Sequence, residues 1–205
     1  MERARAAGRH LADRHRQTPT APHLPDSLLN YAEVAREGDW TLRSALVRLA
    51  QSQPQLVADL LTLVRRLDAV LHHVARPLAA QTVMCDRAIT LETSGREPSS
   101  PYPDTRCADV ARLAYRAGAD GHVVIDAYVE VTDLTDEERM AIPLLGVAVL
   151  FDELAERLVA WAVVAPASAP VEDVRAVITA AQQRLDELGV PVEDRPPHRG
   201  GRSRR

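Results

Sequence analysis

Leu56-Val57-Ala58-Asp59-Leu60-Leu61-Thr62-Leu63-Val64-Arg65-Arg66-Leu67-Asp68-Ala69-Val70-Leu71 is the stretch that decides the fold class. Leu56, Leu60, Leu61, Val64, Leu67, Val70 and Leu71 return every three to four residues, a broad apolar stripe on one face of a helix. Pro54 suits the first helical turn, where its missing N–H costs nothing, and Pro77 sets the expected end near Arg76. A helix with so wide a stripe must bury it against other elements, and the flanking sequence offers more helices. Leu42, Ala45, Leu46 and Leu49 give an amphipathic helix from Trp40 to Ala50. Asp26 or Ser27 can cap an earlier one running to about Arg36.

Downstream, Asp104 or Thr105 can cap a helix through Ala117, ended by Gly118. Thr135-Asp136-Glu137-Glu138 is a capping box opening a long helix to about Val163, which Pro143 is expected to kink or divide. A last helix runs from Pro170 to Leu188, with Gly189 and Pro191 beyond it. Residues 122–131 are ambiguous: Val123, Val124, Ile125, Val129 and Val131 favour strand, while Val124, Ala127, Tyr128 and Val131 share a helix face. Thr82–Cys85 and Ala88–Leu91 are short β-prone pieces around Asp86-Arg87, and a long loop with Pro98, Pro101 and Pro103 follows. The expected fold is therefore mainly α, a helical bundle with at most a short β-hairpin near 82–92.

Composition agrees. The chain is 46% apolar but only 3% aromatic, so its core must be aliphatic. At 205 residues it can bury one sizeable core. Every basic side chain among the 25 is arginine, which excludes Schiff-base chemistry and a lysine clamp on nucleotide phosphates. Five Arg against Glu2 and Asp13 make residues 1–25 basic, and five Arg against Glu193 and Asp194 do the same for residues 190–205. Both ends read as disordered basic tails around a helical domain at 26–189, whose body is acidic. That is not the footprint of a duplex-binding face, although the tails could make weak, salt-sensitive contact with nucleic acid or an acidic partner. No run of 18 uncharged apolar residues occurs and the Arg-rich start is unlike a secretory leader, so a cytoplasmic protein without membrane contact is expected. Cys85 and Cys107, without a CxxC, are expected as reduced thiols rather than as a disulfide or zinc site.

One ordered set of residues carries a family resemblance. Leu67-Asp68-Ala69-Val70-Leu71 on a helix is followed by Val83-Met84-Cys85-Asp86 and a loop. Asp109-Val110-Ala111-Arg112-Leu113-Ala114, Asp126-Ala127-Tyr128 and Leu134-Thr135-Asp136-Glu137-Glu138-Arg139 come next, before a closing helix pair. Over about residues 40–188, and best over 105–160, this resembles the C-terminal lobe of the aminoglycoside phosphotransferase and choline kinase-like family. The resemblance implies Asp86 at the catalytic position, Asp104 or Glu97 as candidate Mg²⁺ ligands, ATP as cofactor, and a groove near Asp86, Asp104 and Asp109.

The chain departs from that pattern where the chemistry lies. Met84 and Cys85 replace the histidine and glycine before the catalytic aspartate, and Leu91 stands where an asparagine should hold metal. No N-lobe is expected ahead of the match. The expectation is a degenerate, non-catalytic module, with no cofactor, that binds a partner protein or small ligand. An active phosphotransferase with unorthodox metal ligands, or an unrelated helical regulatory or assembly protein, are the alternatives.

Overall fold

The computed structural model describes residues 1–17, 36–37, 40–78, 82–99, 101–164 and 169–190. Among these residues the fold is mainly α, with seven α-helices and two small antiparallel ladders. The elements are α1 (Glu2–Gln17), β1 (Arg36–Glu37), β2 (Trp40–Thr41), α2 (Leu42–Ala50), α3 (Pro54–Leu78), β3 (Thr82–Asp86), β4 (Pro101–Thr105), α4 (Arg106–Arg116), α5 (Gly121–Val129), α6 (Asp136–Val164) and α7 (Val171–Glu187). The helix expected before Arg36 and the Arg-rich segment after Val190 lie outside the described residues, apart from Arg36 itself, which is in β1.

Helix ends follow local chemistry. Thr41 caps α2 reciprocally with Ser44: the Ser44 N–H donates to Thr41 Oγ1 at 3.2 Å, and the Thr41 N–H donates to Ser44 Oγ at 2.8 Å. Thr135 and Glu138 repeat the arrangement at α6, and Arg106 grips the fully buried Glu138 carboxylate at 2.6 and 2.7 Å. Gly189 at φ +67° closes α7. It allows the Val190 N–H to reach Leu185 O at 2.9 Å and drops Val190 into the core.

Two cores result. Ala45 and Leu49 of α2, Leu56, Leu60, Leu63 and Leu67 of α3, Val147, Phe151, Leu154 and Leu158 of α6, and Val174, Val177, Ala181 and Leu185 of α7 form the first. Ala4, Ala7, Leu11 and Ala12 of α1, Val110 and Leu113 of α4, Val124 and Tyr128 of α5, and Ile142 of α6 form the second. The 29-residue α6 runs through both.

Four expectations need correction or resolution. Residues 2–17 are not a disordered tail but α1, docked by the small stripe Ala4, Ala7, Leu11 and Ala12. Gly8 lets the backbones of α1 and α5 meet, since a Cβ there would stand 2.4 Å from the Val124 carbonyl oxygen. The partner of β3 is not 88–91 but β4, in the register Val83↔Asp104 and Cys85↔Tyr102. The chain turns at Asp86, whose Oδ1 accepts the Ala88 N–H at 3.0 Å, so 88–91 cannot extend a strand. Residues 121–129 resolve as helix, because Val124, Ala127 and Tyr128 bury one face and packing overrides β propensity. Pro143 lies inside a continuous α6 rather than dividing it.

Candidate functional site

Asp86 and Asp109 do converge. Asp86 ends β3, Asp109 lies in the first turn of α4, and the Asp86 N–H donates to Asp109 Oδ1 at 2.9 Å. The rest of the Asp109 carboxylate is taken by α1. Arg14 ion-pairs with Oδ2, and His15 Nε2 lies 3.3 Å from the same oxygen. His15 Nδ1 meets the Tyr128 hydroxyl at 2.9 Å, and the two rings stand edge-on at 5.8 Å. Asp86 holds its own loop: Oδ1 takes the Ala88 N–H, and Oδ2 takes the Ser99 N–H at 3.2 Å. With exposures of 1% for Asp86 and 0% for Asp109, both carboxylates serve the protein's own donors.

Asp104 differs. Its Oδ1 accepts the neighbouring Thr105 N–H at 2.6 Å, and burial pushes its carboxyl up to about 7, with Asp109 and Asp152 adding to the rise. Arg112 opposes that rise while donating to the Tyr102 hydroxyl at 2.5 Å and to Asp152 at 2.6 Å. The Tyr102 ring lies under both Arg87 and Arg112, 4.7 and 5.5 Å from its centroid. Glu97 sits apart, exposed beside a 300 Å³ hollow lined by His10, Asp13 and Arg14.

The residues do not fit a Mg·ATP site. Among the described residues no three His, Cys, Asp or Glu side chains are grouped to hold a metal ion, and Leu91 packs against the second core. Cys85 and Cys107 are both free and buried. Burial raises the Cys85 thiol and pushes the Cys107 thiol up to about 12, which favours the neutral thiol at both.

An open groove lies where the two cores meet. It has a volume of about 760 Å³ between the end of α4, the start of α5, the middle of α6 and the end of α7. Ala111, Ala114, Ile125, Ile142, Val147 and Leu150 make an aliphatic floor, while Tyr115, His122, Gln183, Arg184 and Glu187 add polar groups. Glu187 accepts from Gln183 at 3.0 Å and pairs with the exposed Arg184 at 3.4 Å.

Pro143 and Gly146, the two residues of α6 least suited to a helix, both line this groove. No packing requires Gly146, since a Cβ there would meet nothing within 4 Å. Sequence reasoning missed the groove, although a proline and a glycine three apart in a long helix were its visible sign. It also missed Arg14, His15 and Tyr128, because the first two lie in a segment read as tail.

No family model, curated protein or solved structure matches the chain. Among the described residues no helix is long and apolar enough to cross a membrane.

Proposed function

We propose that the protein is a non-catalytic helical module of kinase-like C-lobe type that binds a small ligand or a segment of a partner protein. Its binding surface is the groove between α4, α5, α6 and α7, not the surroundings of Asp86 and Asp109. Gly146 carries this reading: a helix-interior glycine costs about 1 kcal/mol against alanine, and here no close backbone contact offsets it. What it does is keep the groove floor open, in a cavity within the usual size range of ligand sites. The loss of catalysis is supported by the carboxylates themselves. Phosphoryl transfer needs metal ligands and a phosphate clamp, whereas Asp86 and Asp109 bind the protein's own amides and arginine. A two-stranded ladder between α3 and α4 is compatible with such a lobe.

The test replaces Gly146 with Leu, which puts a branched side chain into the groove from a position where a Cβ meets nothing within 4 Å. A metabolite and peptide library is screened by ligand-observed NMR on the full chain and on Gly146→Leu. Hits lost in the variant, with thermal stability kept, support the reading. Hits that persist place binding elsewhere, and Mg·ATP-dependent turnover would overturn the non-catalytic assignment.

A further inference from the structure

We propose that α1 is held by an acid-labile latch, in which protonation of His15 between Asp109 and Tyr128 releases the helix from the second core. The latch is the only part of the α1 contact that is both ionic and buried among the described residues. The other ties, Arg9 to Glu130 and the Met1 amino group to Asp120, are surface pairs, which contribute little. Arg14 and His15 instead reach inward with side chains 9% and 2% exposed, and both meet the same oxygen of Asp109.

The hydrogen count fixes the protonation state that fits. A carboxylate only accepts, so Nε2 carries the proton toward Asp109, and Nδ1 is left bare to accept from the Tyr128 hydroxyl. In the imidazolium form Nδ1 also carries a proton. The Tyr128 hydroxyl must then accept, and its own hydrogen has to be re-aimed within a fully buried space.

Of the charges facing His15, Asp109 favours its cation, while Arg14 and Arg106 oppose it. From α4 come Asp109 and Arg106, with Arg112 4.0 Å from the Asp109 carboxylate; from α5 comes the neutral Tyr128, and from α1 itself comes Arg14. Glu138 of α6 is occupied by Arg106. Asp109 is already paired with Arg14, so a charged His15 would add a second cation to one anion. Burial is the main reason the His15 imidazole titrates below its ordinary 6.5, with Asp109 pulling the other way and Arg14 and Arg106 adding to the fall. The sign follows: the unfolded or undocked helix binds the proton more readily, so docking is strongest above pH 6.5 and weakens as pH falls.

Hydrogen exchange on the full chain reads the latch directly. Between pH 7.5 and 5, protection of peptides within residues 2–17, corrected for intrinsic exchange, is expected to fall at least twofold while α3 and α7 keep theirs. His15→Gln retains a donor for Asp109 but cannot titrate, and its α1 protection is expected not to change with pH. Should that variant fail to dock at any pH, the wild-type imidazole titration by NMR decides, with a midpoint below 6.5 required. Unchanged α1 protection, parallel loss in α1 and α3, an unaltered pH dependence in His15→Gln, or a His15 midpoint at or above 6.5 would each overturn the latch.

Discussion

Asp104 shows how one partly buried carboxyl sets a pH dependence. Its folded value of about 7 lies above its ordinary 3.8, so its contribution to stability is full below pH 3.8 and is lost as pH rises through 7. That loss has an upper limit of about 4 kcal/mol, since each unit is about 1.4 kcal/mol. Asp104→Asn keeps an acceptor for the Thr105 N–H and cannot ionise. It is expected to melt several degrees higher than wild type at pH 8 and to lose that advantage by pH 4, as scanning calorimetry at the two pH values would show. At this scale the sequence was half legible. Asp86, Asp104 and Asp109 stood out as a set; Asp86 and Asp109 meet directly, and Asp104 lies within electrostatic reach of Asp109. Their partners did not stand out, because Arg14 and His15 lie about 95 positions from Asp109 and no spacing rule links them.

Whole helices were easier to read than their partners. α2, α3, α4, α6 and α7 announced themselves by apolar spacing and caps, since leucine and valine stripes with Thr or Gly boundaries are the physical cause of the element. α1 escaped because its buried face is made of alanine, glycine, one leucine and His15 between arginines, a pattern of low apolar content. Small residues bury little area, but they let two helices approach closely, and that closeness can be tested. Gly8→Ala puts a methyl 2.4 Å from the Val124 carbonyl oxygen, so α1 must shift or undock. Loss of about 1–3 kcal/mol in urea unfolding is expected, with exchange protection of α1 lowered more than that of α3. An unchanged midpoint would show that the two helices do not meet at Gly8. The strand pairing was read with the wrong partner because the Asp86 side chain bends the chain before 88–91, a choice that hydropathy cannot signal.

For the molecule as a whole, α6 decides how the parts respond together. Its first half supplies Ile142 to the second core and its second half supplies Phe151, Leu154 and Leu158 to the first, so neither core melts without stripping part of α6. A single calorimetric transition is expected, with equal van't Hoff and calorimetric enthalpies; two resolved transitions would separate the cores. The same continuity makes α6 a ruler. Each helical residue turns the chain by about 100° and advances it by about 1.5 Å. Removing one residue between Leu145 and Val147 would therefore rotate everything beyond it by a quarter turn or more. Asp152 would swing away from Arg112, and Glu153 away from Arg116. A Cβ at position 146 would meet nothing, so a substitution there costs the open groove floor and leaves the helix in register. A deletion there costs the register of the whole second half of α6.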